Sequence, residues 1–328
     1  MIYQFEFRTY QRQFRQPLVT SHGIWKFREG IILKLTDEIG KVGWGEIATL
    51  PWFGSESFVD ALAFCEGLRE SIADRDIDKI PDVLPACQFG FESAVESLFR
   101  AKMQRRKEVR QGENQEVTGL KYSYLLPTGA AALAAWESIW KSGGKTFKWK
   151  VGVDLIDNEI EIFEQLVKGL PEGVRLRLDG NGGLSLQETQ QWLEVVEGMG
   201  IVEFFEQPLP PQQFDLMLEL SRDYTTPLAL DESVSTVRQL EECYGKGWRG
   251  IFVIKVSIAG SPKRLRQFCQ ESKIDAVVSS VFETQIGREA ALQLAEEISH
   301  PQRAVGFGVN HWFEEDEDTW LKMLWKNY

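Results

Sequence analysis

From Leu120 onward the chain repeats one unit: a short apolar run, a turn, and an amphipathic helix. Candidate strands begin near Tyr122, Thr146, Val174, Ile201, Pro227, Gly250, Ile274 and Arg303, with helical stretches such as LIDNEIEIFEQLVKGL and LQETQQWLEVVEGM between them. Intervals of roughly 23 to 29 residues suit one strand–helix unit, and strand alternating with helix favours a parallel sheet. Eight such units close as a (β/α)8 TIM-type barrel, whose functional groups gather at the C-terminal ends of the strands. The rival is an open doubly wound sheet, but no GxGxxG or Walker sequence follows any of these runs.

The first part of the chain has a different texture. IYQFEFRTY, GIILKLTDE and KVGWGEIA read as a strand meander with DEIG as a tight turn, and two helical stretches follow, SESFVDALAFCEGLRESIA and FGFESAVESLFRAKMQRR. The expected fold class is therefore α/β: a TIM-type barrel with an N-terminal α+β capping domain. The expected division is residues 1–115 for the cap, 116–305 for the barrel, and 306–328 for an acidic, Trp-rich tail that packs back on the cap. The polar stretch KEVRQGENQEVTG is the expected crossing between domains.

The formal charge of −12 over 328 residues leaves no basic stripe to neutralise phosphates, which argues against a nucleic-acid or anionic-membrane partner. An anionic small molecule is still compatible, because a metal ion and lysines can dominate the field inside a pocket. Cys65, Cys87, Cys243 and Cys269 form no CxxC pair and no metal spacing, so buried reduced thiols and a cytoplasmic location are expected. The N-terminus alternates and carries charge, unlike a signal peptide, and no run is long enough to span a membrane. Nothing in the sequence sets the oligomeric state.

Ionisable residues end several of the barrel runs: Lys148 and Lys150 in FKWKVG, Asp179 in RLRLDGNG, Glu206 in EFFEQPL, Asp231 in LALDES and Lys255 in FVIKVS. Strand side chains alternate, so Lys148 and Lys150 share the face opposite Phe147, Trp149 and Val151. If the bulky set faces the helices, both lysines point into the barrel, as do Arg175 and Arg177 below Asp179, and Ile251 and Val253 below Lys255. One acid at a strand end is usually a cap or a solvated loop residue. Three at successive strand ends need a cation to hold them together, and oxygen-only ligands favour Mg2+, with Mn2+ as a possible substitute. Strands two and six of a closed barrel are opposed, so Lys150 and Lys255 are expected to face each other across that ion. Such an arrangement suits removal of a proton α to a carboxylate. His22, His300 and His311 sit in loops or the tail, with His22 alone placed to reach the pocket from above.

These residues resemble the enolase superfamily, in its muconate-lactonising subgroup, and most of all the o-succinylbenzoate synthase family of menaquinone or phylloquinone biosynthesis. The resemblance rests on the two-part order, the KxK of strand two, the Asp/Glu/Asp set, the strand-six lysine and the SSVFETQIG segment. It implies a lyase that dehydrates 2-succinyl-6-hydroxy-2,4-cyclohexadiene-1-carboxylate, a small anionic carboxylate, to 2-succinylbenzoate by syn elimination. Lys150 would be the base, with Lys148 supporting it and Lys255 acting as a cation on the other face. Asp179, Glu206 and Asp231 would bind Mg2+, and Asn181 and Glu232 would orient ligands or lysines. Residues 19–25 and 49–57 resemble the family's capping loops, so Leu50 and Trp52, beside Phe53, either touch substrate or staple cap to barrel. Ser279 and Ser280 are candidates to bind the succinyl carboxylate. An N-acylamino acid racemase or dipeptide epimerase on the same scaffold is the alternative, although strand eight, AVGFGVN, lacks the acid that dipeptide epimerases use. A non-catalytic barrel is the third reading, and five costly charges in one place count against it.

Overall fold

Two long antiparallel strands, β1 (Ile2–Thr20) and β2 (Gly23–Asp37), form a hairpin extended by β3 (Val42–Ile47) and β4 (Ser71–Ala73) into a sheet of order β3-β2-β1-β4. The coordinates are a computed structural model that describes residues 1–20, 23–108, 119–308, 313 and 317–326. At the DEIG turn, the Asp37 carboxylate accepts the backbone N–H groups of Ile39 and Lys41. Alternation puts Tyr3, Phe5, Ile31, Leu33, Leu35 and Ile47 on one face, where they form a core with the helix Pro85–Glu108.

The first strand runs a little past the alternating stretch MIYQFEFRTYQRQFRQ, and the second begins well before the Gly30 of the sequence expectation. Gln11, Arg12 and Gln13 pair with Glu29, Arg28 and Phe27, and pairing resumes at Leu18↔Trp25 after an irregularity. This polar stretch finds apolar cover from distant sequence. The Arg12 guanidinium lies 4.1 Å from the Phe313 ring and 4.3 Å from the Trp320 ring. The tail helix Glu317–Lys326 lies along the hairpin, with Trp320 edge-on to Tyr10 and Trp325 edge-on to Trp44.

The second sheet holds seven parallel strands: β5 (Ser123–Leu125), β6 (Thr146–Lys150), β7 (Arg175–Asp179), β8 (Val202–Glu206), β9 (Leu228–Leu230), β10 (Ile251–Ile254) and β11 (Asp275–Val278). Each neighbours the next in chain order, as a barrel requires. The eighth strand expected near Arg303 is reduced to bridges. Val305 pairs with Tyr122 and Gly306 with Ser279, so residues 304–308 link the two edges of the curled sheet. A Cβ at Gly308 would lie 2.2 Å from the Ser123 carbonyl oxygen, so this link requires glycine. Helices such as Ile156–Gly169 and Leu186–Val196 pack outside, and the second begins with a Ser185/Glu188 capping box.

Phe147 and Trp149 face those helices, Trp149 meeting Trp192 and Trp192 meeting Phe163 edge-on. The inner face is filled by Phe204, Ala229, Ile251, Val253 and Val277. Burying a large apolar side chain contributes about 1.5–3 kcal/mol, so this partition strongly fixes strand register. Below that layer the buried Arg177 bonds Glu203 at 2.7 Å, and Arg303 and Arg175 reach the same carboxylate at 3.1 and 3.2 Å. All four cysteines are free and buried. No described helix is long and apolar enough to cross a membrane.

Candidate active site

Register assembles the site. Lys150 pairs with Asp179, and Asp179 with Glu206, so the ends of β6, β7 and β8 stand at one level. Asp231 follows β9 directly and Lys255 follows β10. Glycine and proline set the turns beyond: a Cβ at Gly180 would lie 2.7 Å from the Pro208 Cα, so the DGN turn packs directly on the QPL turn. Asn181 takes the left-handed φ of 45° that asparagine tolerates better than most residues.

Lys148 bridges two acids, 2.8 Å from Asp179 and 2.5 Å from Glu206. Lys255 bonds both oxygens of Asp231 at 2.5 Å. Asp179 also accepts the Asn181 backbone N–H at 3.0 Å, and the Asn181 amide donates to Glu232 at 3.4 Å. Burial alone would raise every acid here. For Asp179, Lys148, Lys150 and the Asn181 N–H outweigh it and hold the carboxyl below its ordinary value. Glu206 is left undercompensated: burial, with Asp179 and Asp231 adding to it, pushes it up to about 8 against the pull of Lys148. Asp231 is likewise pushed up to about 6 by burial and Glu232, against Lys255. Burial works to lower Lys148, yet the three acids around it hold its ammonium above the ordinary lysine value.

A cavity of about 180 Å3 opens over these groups. Lys148, Lys150, Asp179, Asp231 and Lys255 form its floor with Asn181 and Glu232. Trp25 from β2 and Leu50, Trp52 and Phe53 from the turn after β3 close it, and Ser279, Ser280 and Phe282 line it beyond β11. The acids, lysines, serines and apolar loop residues singled out in the sequence are thus brought to one place, with Glu206 bonded to Lys148 and not on the cavity wall. Trp25 ties the roof together, edge-on to both Trp52 and Phe282. A second cavity, of about 300 Å3, lies outside the barrel mouth beside Glu56, Gln88 and Arg264. Arg264 there pairs with Asp82 and Glu241, so its charge is already matched.

His22 and His311 lie outside the described residues, and His300 donates its backbone N–H to Ala276 at the opposite end of β11. Gln207 is a residue that the sequence reading missed. At φ 34° and fully buried, its amide oxygen accepts the N–H groups of Asp231 and Ser233, and its NH2 donates to the Leu209 carbonyl and the Ser233 hydroxyl. It therefore fixes the backbone of Asp231 from the end of β8. The available signal was a glutamine between a buried acid and a proline.

As the side chains stand, no group of three or more His, Cys, Asp or Glu among the described residues is spaced to enclose an ion, because lysine ammoniums lie against the acids. The donor chemistry nonetheless fits a hard divalent cation. Asp179, Glu206 and Asp231 are all buried, burial raises two of them, and the buried Oε2 of Glu232 has no hydrogen-bond partner.

Comparison with known proteins identifies the family and the fold. Residues 131–323 match the family described as enolase C-terminal domain-like, and residues 3–98 match the family described as MenC, N-terminal domain. The o-succinylbenzoate synthase of Thermosynechococcus vestitus is 38% identical over 315 residues, covering 94% of this chain and 93% of that one. A crystal structure of o-succinylbenzoate synthase from Thermosynechococcus elongatus, complexed with Mg in the active site, superposes with a TM-score of 0.89 at 36% identity, covering 99% of this chain and all of that one. The L-Ala-D/L-Glu epimerase of Bacillus subtilis, at 23% identity and a TM-score of 0.77 over 96% of this chain and 92% of that one, shares the fold. With a full-length relative at this identity, the chain belongs to the enolase superfamily, and within it to the o-succinylbenzoate synthase family.

Proposed function

We propose that this chain is a Mg2+-dependent dehydratase that converts 2-succinyl-6-hydroxy-2,4-cyclohexadiene-1-carboxylate to 2-succinylbenzoate, in the cytoplasm, on the way to menaquinone or phylloquinone. The observation that carries the reading is that Lys150 and Lys255, on strands separated by the three acid-bearing ones, line the same small cavity.

In this reading Asp179, Glu206 and Asp231 hold Mg2+, which when bound supplies Lewis-acid stabilisation for negative charge on the substrate carboxylate. Lys150, as the free amine, takes the proton α to that carboxylate. The same ammonium then protonates the hydroxyl leaving from the same face, water departs, and the ring becomes aromatic. Lys255 stays an ammonium on the other face and offers its charge to the substrate. Lys148 holds Asp179 and Glu206 at their level, while Asn181 and Glu232 orient the acids and lysines from outside. Trp25, Leu50, Trp52 and Phe53 exclude water, Ser279 offers its hydroxyl to the succinyl carboxylate, and Ser280, whose hydroxyl proton goes to Glu283, lines the cavity beside it.

The test is an ultraviolet assay on the hydroxycyclohexadiene carboxylate with Mg2+ and then with chelator. Chelator-sensitive loss of the diene band is expected. Folded, Mg2+-supplied protein with no turnover would sink the assignment.

A further inference from the structure

β3 sends alternate residues to opposite faces. A Cβ at Gly45 would stand 2.1 Å from the Gly90 carbonyl oxygen, so the glycines of VGWGEI lie against the helix Pro85–Glu108 while Trp44 and Glu46 project the other way. On that side the Glu46 carboxylate is fully buried and accepts four hydrogen bonds. Its donors are the Tyr10 hydroxyl at 2.5 Å, the Thr284 backbone N–H at 3.0 Å, the Thr284 hydroxyl at 2.5 Å and the Gly287 N–H at 2.9 Å. Burial and the Glu46 charge hold the Tyr10 phenol well above its ordinary value, so it remains a donor.

Thr284 is the N-cap of the helix Gln285–Ile298, but its own side chain makes no capping bond. The first amides of this helix are served by a carboxylate from the N-terminal sheet, which also suits the positive end of the helix dipole. A Cβ at Gly287 would lie 2.7 Å from the Glu46 oxygen, so glycine there lets the acid approach.

Residues 279–283 run from β11 to this cap and carry Ser279, Ser280 and Phe282 into the cavity. Their shape is fixed locally: Glu283 accepts the Ser280 hydroxyl at 3.0 Å and the Val281 N–H at 2.7 Å. Ser280 Oγ in turn accepts the Phe282 N–H at 2.9 Å, with Phe282 at a φ of 63°. One end of this loop is anchored by β11, and the other is anchored by Glu46 through Thr284.

We propose that Glu46 is a positioning residue for substrate: from the N-terminal sheet it caps the helix after β11 and so sets where Ser279 and Ser280 meet the carboxylate-bearing arm of the substrate. The kinetic part of this inference rests on the substrate reading above; the structural part does not.

The test compares Glu46→Gln and Thr284→Val with the wild-type chain in two measurements, steady-state kinetics on the hydroxycyclohexadiene carboxylate and amide hydrogen exchange. Glutamine replaces one acceptor oxygen with an NH2 group facing N–H donors, whereas valine deletes only the Thr284 hydroxyl. KM should rise about tenfold in Glu46→Gln and about threefold in Thr284→Val, with kcat within about twofold of wild type, as loss of a few aligned hydrogen bonds implies. Amides of residues 280–287 should exchange about tenfold faster while those of β6 and β7 keep their protection. Unchanged KM with faster exchange, a fall in kcat at constant KM, or protection lost evenly across the barrel would each overturn the proposal. If Glu46→Gln does not fold, Thr284→Val carries both measurements. Absence of turnover by the wild-type chain defeats the substrate reading alone, and the exchange pattern still decides the role of Glu46.

Discussion

The ring of Phe53 lies 3.7 Å from the Lys255 ammonium, on a cation that already bonds both oxygens of Asp231. The loop bearing Phe53 is braced: Gly54 turns it at φ 112°, the Leu50 N–H donates to Ser55, and Glu56 accepts the Ala86 and Cys87 amides. A desolvated cation–π contact is worth about 1–2 kcal/mol. Phe53→Ala should therefore lower kcat/KM roughly 5- to 30-fold, and Phe53→Tyr should retain most of it. If Phe53→Leu performs as well as Phe53→Tyr, the ring acts through packing alone.

Asp179→Asn, Glu206→Gln and Asp231→Asn each remove one negative charge from the proposed ion site. Mg2+ affinity measured by calorimetry should fall at least on the order of a hundredfold in each, the upper end of what even outer partners contribute. Three variants that still bind Mg2+ like the wild type would reject the ligand set.

Glu203 answers to Arg175, Arg177 and Arg303 at the far end of the strands, and the buried Nη2 of Arg177 has no hydrogen-bond partner. Glu203→Gln strands that buried guanidinium and should destabilise the fold by about 3 kcal/mol, read by denaturant unfolding. Activity per folded molecule should hold, because the cavity lies at the opposite ends of the strands. Lost activity at full stability would place Glu203 in the chemistry.

Glu283 is raised above the ordinary glutamate value of 4.5 by burial first, with the Glu46 charge adding to it, while the Val281 N–H and Arg288 pull the other way. A raised acid binds more protons folded than unfolded, so its contribution is greatest in acid and is lost as pH rises above 4.5. Glu283→Gln should therefore gain melting temperature relative to wild type as pH goes from about 5 to about 8. A constant gap across that range would show that burial of Glu283 carries no such linkage.

The strand-end acids and lysines were legible because each ends a short apolar run, and period-two alternation assigns its face without tertiary information. Seven of the eight expected strands form for the same reason. The eighth failed as a regular strand because AVGFG places glycines where the two sheet edges come within contact of the chain. The cover over the hairpin's polar stretch was hidden because Arg12 and Phe14 find their partners some 300 residues later, in Phe313 and Trp320. Glu46 and Gln207 bond to distant elements, and no local pattern reports those; Phe53 stood out as an apolar loop residue, but not its contact with Lys255.

Lys150 and Lys255 line one cavity from non-adjacent strands, so the two chemistries open to this scaffold separate on which lysine each needs. Syn dehydration uses one lysine as base and then acid, and asks of the other only its charge. Lys150→Arg should therefore lose at least about a thousandfold in kcat, within the range general acid–base catalysis supplies. Lys255→Arg keeps a cation and should retain measurable dehydration. Racemisation of an N-succinylamino acid needs a proton taken on one face and returned on the other, so either substitution should abolish it. Proton exchange with deuterium oxide, followed by nuclear magnetic resonance, distinguishes the cases. If Lys255→Arg abolishes dehydration as completely as Lys150→Arg does, the second lysine is a proton-transfer group in the main reaction, and the one-base course is wrong.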